Sequence, residues 1–171
     1  MNDVRMEIRK LKESDLPLRI EWMNNPAVYN TMHYSVPVLI ENTKEWFTRN
    51  QLKADRCDMV FVDEDEIPVA MGGLTGIDPD KFKGELYIFV NPDRQGEGIG
   101  TRATCLLCKY GFEILKLKKI FLYTDAGNAG ARKVYEKVGF RLEGRLREES
   151  RHSTGCEDRL YFGIFQQELI Q

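Results

Sequence analysis

Cysteine and histidine are scarce in this chain: four Cys and two His among 171 residues. Cys57, Cys105, Cys108 and Cys156 are too few and too scattered for the disulfide framework of a small secreted protein. Cys105 and Cys108 form a C-x-x-C pair, but a structural zinc needs further ligands, and the sequence offers no second pair and no His cluster. The pair shares a helical stripe with Phe112 and Leu115, so two small core side chains and no metal are expected. Long apolar runs are also missing. None approaches the ~20 residues that span a bilayer. The opening stretch MNDVRMEIRKLKESD has neither the apolar core of a signal peptide nor the acid-poor composition of a transit peptide. A cytoplasmic protein with no membrane partner is expected. Charge of one sign is lacking too: 25 Lys and Arg face 27 Asp and Glu, so no basic nucleic-acid footprint is present. Without repeats, low-complexity tracts or linkers, residues 1–171 read as a single domain able to bury its own core.

What is present is a clear series of elements. Residues 5–11 alternate as a strand, with Met6 and Ile8 on one side. Ser14 and Asp15 open a helix through Trp22, with Pro17 in its first turn, and Asn24-Asn25-Pro26 closes it. Residues 26–41 read as irregular, with Tyr29, Met32, His33 and Tyr34 interleaved. Asn42 with Glu45 approximates a capping box for a helix to about residue 52, turning Trp46 and Phe47 inward. Residues 57–63, 67–75 and 83–90 read as an antiparallel meander, which Asn91-Pro92 terminates. A long helix is expected over residues 98–116, with Ala103, Leu106, Leu107, Tyr110 and Ile114 on its apolar face. A strand at 119–124 and a helix at 128–138 follow, the helix between an Asn128 N-cap and a Gly139 C′ residue. Two strands, 140–146 and 159–165, close the chain.

Between the meander and the long helix lies NPDRQGEGIGT, with glycine at 96, 98 and 100. A strand, a glycine turn and a helix together form an anion site, because unpaired N–H groups and the positive end of the helix dipole converge there. The spacing is not the G-x-G-x-x-G of a dinucleotide fold, and the turn follows an antiparallel hairpin rather than opening a βαβ unit. No Gly-Lys-Ser/Thr follows, which excludes a P-loop. An acyl-CoA site and a ligand-free helix entry remain.

Gln95-Gly96-Glu97-Gly98-Ile99-Gly100 fits the Q/R-x-x-G-x-G/A signature, and the chain thereby resembles the GNAT superfamily of N-acetyltransferases. A second stretch extends the likeness: Asn128, Ala131, then Tyr135 through Gly139-Phe140. The resemblance covers nearly the whole chain and points to the branch of ribosomal-protein, spermidine and amino-sugar acetyltransferases, marked here by Trp22, Trp46-Phe47 and the Arg147 to Tyr161 ending. It implies an α+β fold, with a twisted, mainly antiparallel sheet of about seven strands flanked by about four helices. It also implies acetyl-CoA as cosubstrate, an amine acceptor, and a monomer or homodimer. By the same likeness, the N–H groups of Gln95, Gly96, Gly98, Ile99, Gly100 and Thr101 hold the pyrophosphate. The strand end Ile88-Phe89-Val90 pairs with the pantetheine, a backbone N–H near Phe89 or Val90 faces the thioester oxygen, and Asn128 and Ala131 lie along the arm. Glu85 is the candidate base, against a solvated strand carboxylate. Tyr135 is the candidate acid, against a core tyrosine on one stripe with Ala131, Val134 and Val138. His33 is a candidate substrate contact, and His152 lies in a loop of unassigned role. A non-catalytic acyl-CoA-binding module and a nicotinamide oxidoreductase are the competing readings.

Overall fold

The computed structural model describes residues 5–152 and 155–170. Seven strands form one sheet in the order β1-β2-β3-β4-β5-β7-β6. β1 (Glu7–Lys10), β2 (Cys57–Val62), β3 (Pro68–Asp78) and β4 (Lys83–Val90) run antiparallel in succession. β5 (Lys119–Asp125) joins β4 in parallel, which requires the crossover that the intervening helix supplies. β7 (Gly155–Phe165) lies between β5 and β6 (Arg141–His152), antiparallel to both. The helices are α1 (Leu16–Met23), α2 (Pro26–Tyr29), α3 (Ile40–Asn50), α4 (Ile99–Glu113) and α5 (Ala129–Val138).

Period-two alternation gives the sheet two differently covered faces. On one, Leu74, Leu86, Ile120 and Phe162 pack against Ala103 and Leu107 of α4 and Val138 of α5. On the other, Val60, Met71 and Phe89 from β2, β3 and β4 pack against Leu16 and Trp22 of α1, with Trp46 and Phe47 of α3 half-buried at the margin. This second cluster takes no side chain from β5 or β7. On that face the two strands carry their own aromatic group: Phe121, Tyr123 and Tyr161, with centroids 5.1–6.1 Å apart.

The structure departs from the expected elements in four places. The stretch expected to be irregular holds α2, where the Asn25 side chain accepts from the Ala27 N–H at 2.9 Å and Pro26 occupies the first turn. α3 starts at Ile40 rather than at Asn42, because Thr43 rather than Asn42 anchors its entry: both the Thr43 N–H and its hydroxyl donate to the Leu39 carbonyl. α4 ends at Glu113, so Ile114 falls outside the apolar stripe and is 63% exposed. The closing hairpin is longer than residues 140–146 and 159–165. Its outer rungs Ser150↔Glu157 and Arg151↔Cys156 join polar residues that leave no apolar alternation to read. The Asn128 cap and the Gly139 C-cap sit at the expected ends of α5. Cys108 is buried in the α4 core and Cys105 beside it faces the Ile170 carbonyl, as expected of packing thiols.

Candidate active site

β4 and β5 share three register pairs, Lys83↔Lys119, Gly84↔Ile120 and Glu85↔Phe121. β4 then continues beside β3 as far as Ala70↔Val90 while β5 turns away, so a wedge opens along Leu86 to Val90. The Asn91 N–H donates to the Val69 carbonyl at 2.9 Å. Alternation along an antiparallel ladder then directs the polar backbone of Phe89 toward β3 and that of Ile88 and Val90 into the wedge. This corrects the assignment of Phe89 to the donor arm: its N–H belongs to the ladder, and its ring lies in the second core, edge-on to Trp22 at 6.4 Å. Ile88 and Val90 remain on the wedge.

The mouth of the wedge is the glycine turn. Asn91 Oδ1 accepts from the Asp93 N–H and starts a short 3₁₀ turn, Pro92–Arg94. The Arg94 guanidinium is held by Asp63 and Glu97 at 2.9 Å each, which braces the turn. Gln95 reaches the Ala27 carbonyl of α2. Gly96 and Gly98 adopt φ of +86° and +77°, a region that strains any side chain, and the space beyond each is open. Gly98 is the N-cap of α4, and the N–H groups of Ile99, Gly100 and Thr101 in the first turn have no intrahelical acceptor. Gly100 packs under Val90 and Val134, where a Cβ would find ordinary contact distances. An open concave run of amides at a helix N-terminus, continuous with a free strand edge, fits a pyrophosphate joined to a thin extended arm. At the far side of the wedge Asn128 Oδ1 is committed to the Ala131 N–H at 3.1 Å, so the Asn128 amide nitrogen is the part left to face a ligand.

Glu85 sits at the last β4–β5 rung, half-buried, with its side chain on the face shared with Tyr87 and Phe89. Burial raises its carboxyl pKa, and the charge of Arg159 pulls back only in part. Tyr135 approaches from α5 on the opposite face. Its ring packs on Phe140 and Phe162, burial pushes its pKa up to about 12, and no hydrogen bond to a described residue holds its hydroxyl. At neutral pH the pair is therefore one carboxyl made more basic and one phenol kept protonated, set on the two faces that the wedge connects.

Residues that sequence reasoning did not single out complete the Glu85 face. Arg159 lies over the Tyr123 ring at 5.1 Å beside the Phe121, Tyr123 and Tyr161 group. Asp125 ends β5, faces His33 Nε2 at 3.0 Å and accepts from the buried Ser150 hydroxyl at 2.5 Å. His33 thus pins the α2–α3 connection to the ends of β5 and β6. Strand alternation outward from Glu85 would have marked Phe121 and Tyr123, but only once β4 and β5 were known to be neighbours.

A mixed sheet parted by a parallel-strand wedge, with a glycine-capped helix at its mouth, is the architecture of acyl-CoA N-acyltransferases. The family model described as acetyltransferase (GNAT) domain matches residues 5–141, and the chain belongs to that family. It is 35% identical to spermidine N(1)-acetyltransferase of Escherichia coli (strain K12) over 88 residues, 52% of this chain and 47% of that protein, so the match spans about half the relative's length. Against the spermidine N(1)-acetyltransferase of Vibrio cholerae, identity is 27% over 147 residues, 85% of this chain and 84% of that one. The crystal structure of spermidine N-acetyltransferase from Vibrio cholerae in complex with CoA and spermine has the same fold, with a TM-score of 0.91 at 24% identity over 95% of this chain and 96% of that one. Among the described residues no helix is long and apolar enough to cross a membrane.

Proposed function

We propose that this protein is an acetyl-CoA-dependent N-acetyltransferase that moves an acetyl group to a primary amine by direct attack. The observation that carries the reading is the wedge between β4 and β5 leading straight into the left-handed glycines at the start of α4. Membership of the GNAT family and relatives named as spermidine acetyltransferases support it.

Acetyl-CoA would supply an activated acetyl thioester. The N–H groups from Gln95 to Thr101 would hold its pyrophosphate, and the free edge at Ile88 and Val90 its pantetheine, with the Asn128 amide alongside. Glu85 takes the proton from the acceptor ammonium, directly or through a water, leaving the nitrogen lone pair free to form the new C–N bond. The Val90 N–H, turned into the wedge, meets the negative charge that develops on the carbonyl oxygen. As the C–S bond breaks, the Tyr135 hydroxyl, protonated at neutral pH with a pKa of about 12, gives its proton to the departing thiolate; the second proton of the new amide nitrogen passes to water, from which Tyr135 is reprotonated. His33 would line the acceptor entrance.

The test is release of CoA thiol from acetyl-CoA in the presence of an amine panel that includes spermidine, amino sugars and peptide N-termini. Saturable release with at least one amine is expected. CoA binding without amine-stimulated release from any of them would make the protein a non-catalytic acyl-CoA-binding module instead.

A further inference from the structure

Three half-buried guanidiniums of this protein are hydrogen-bonded to carboxylates. Arg9 holds Asp15 through two hydrogen bonds of 2.7 and 2.8 Å, Arg56 holds Asp58 at 2.9 and 2.8 Å, and Arg94 holds Asp63 and Glu97. Among the described residues, three guanidiniums have a buried nitrogen without a hydrogen-bond partner: Arg132, which still reaches the Ala126 carbonyl, and Arg19 and Arg159, which lie on the Glu85 face of the sheet. Arg19, on α1, is only 6% exposed, yet it makes no hydrogen bond to any described residue and its Nη1 is fully buried. It is held among three rings instead: Trp46 at 4.8 Å, Phe89 at 5.2 Å and Tyr87 at 5.7 Å. Arg159, on β7, has a buried Nε without a hydrogen-bond partner. Its nearest carboxylate oxygen is Asp125 Oδ1 at 3.8 Å, and that oxygen already serves His33 and Ser150.

A guanidinium cannot shed its charge, and leaving its five donors unanswered in a desolvated place is costly. Aromatic faces offset part of that cost but accept no N–H···O bond. The two forks therefore present unanswered donors. Tyr87 lies two residues beyond Glu85 on the same face of β4, so Arg19 stands over the strand that carries the candidate base, and the charge of Arg159 reaches Glu85 itself. A polyamine would bring further positive charge to two guanidiniums that no carboxylate answers with a hydrogen bond. An acceptor with an anion would bring the missing partner.

We propose that the acceptor is an amine that also carries an anionic group, a carboxylate or a phosphate, and that Arg159 and Arg19 bind this group while the amine meets Glu85. The inference rests on the acetyltransferase reading and narrows its acceptor. Arg159, a quarter exposed, is the outer contact and Arg19 the inner one.

The experiment measures kcat/KM for CoA release with matched acceptors: glucosamine 6-phosphate against glucosamine, leucine against leucinamide, and spermidine. Charge-assisted hydrogen bonds predict a preference of about 10- to 100-fold for the anionic member of at least one pair, and for that acceptor over spermidine. The pair that shows it distinguishes phosphate from carboxylate. In Arg159→Met or Arg19→Met the ratio should fall toward one, and Arg159→Lys, which keeps the charge without the fork, should restore part of it. Acetyl-CoA affinity and Tm of each variant confirm that the fold is retained. Spermidine as the preferred acceptor, or a ratio unchanged in both Met variants, overturns the proposal while leaving the acetyltransferase reading intact. If acetyl-CoA binds and no amine releases CoA, the acetyltransferase reading falls and this one with it.

Discussion

Asn91 donates its backbone N–H to the Val69 carbonyl at 2.9 Å, and that one bond sets the phase of every amide on β4. Phe89 falls on the ladder side and Val90 on the open side. A proline scan separates them. Val90→Pro removes a donor that the ladder does not use and should lower kcat by about 10²-fold, as loss of an oxyanion donor does, with little change in Tm. Phe89→Pro removes a ladder bond together with a buried ring and should cost more than about 3 kcal/mol of stability. Thermal melts beside steady-state kinetics read both; equal destabilisation by the two would show that the phase is wrong.

Glu85→Gln keeps the shape of the side chain and removes the base. kcat/KM should fall by about 10²-fold or more. Burial raises the Glu85 pKa, so the carboxylate form is lost at a higher pH than that of an exposed glutamate. The wild-type pH profile should therefore show an acid limb from Glu85 in addition to that of the acceptor ammonium, and the variant only the latter. An unchanged profile would return Glu85 to the role of a strand carboxylate.

Tyr135→Phe leaves the contacts with Phe140 and Phe162 in place, so Tm should move little. Turnover at neutral pH should drop about 10²-fold through loss of the proton donor. Turnover within a few-fold of wild type would make Tyr135 a core residue only.

At Gly98, φ is +77° with open space beyond, so Gly98→Ala meets backbone strain of about 1–2 kcal/mol and no clash. The strain falls on the turn that opens α4. KM for acetyl-CoA should rise several-fold with the acceptor KM unaltered, as measured by varying each substrate in turn.

Asp15 is buried. Burial alone would raise its pKa, but hydrogen bonds from Arg9 and the Lys12 N–H outweigh it and the pKa is lowered. The stability it contributes is therefore present above the unfolded carboxyl value of about 4 and is lost as pH drops through the lower folded value. Asp15→Asn should lower stability by about 1–3 kcal/mol at neutral pH and flatten the acid limb of a urea-midpoint versus pH curve.

The glycine turn and the ends of α5 were readable because their signals are local: Gly96, Gly98, Asn128 and Gly139 each meet a backbone need within a few residues. The start of α3 was misplaced because Thr43 bonds back to Leu39, and a capping pattern centred on Asn42 hides that. The outer rungs of β6 and β7 escaped notice because charged side chains leave no periodicity for hydrogen bonds to follow. Most of the Glu85 face was beyond reach for a different reason. Glu85 meets Phe121, and Asp125 meets Arg159, only through register between strands far apart in sequence. In LPLRIEWM, nothing distinguishes Arg19 from a solvated helix residue until Trp46, Tyr87 and Phe89 close around it.

A bare strand edge invites other chains to add to it, and proteins usually protect such edges at the rim of a sheet. Here the bare edge lies in the interior, between the four strands on one side of the β4–β5 joint and the three on the other. A neighbouring polypeptide strand would have to enter between two halves of one sheet to reach it. The wedge thus keeps the bare edge inside one continuous sheet, away from the rim where a second sheet would add.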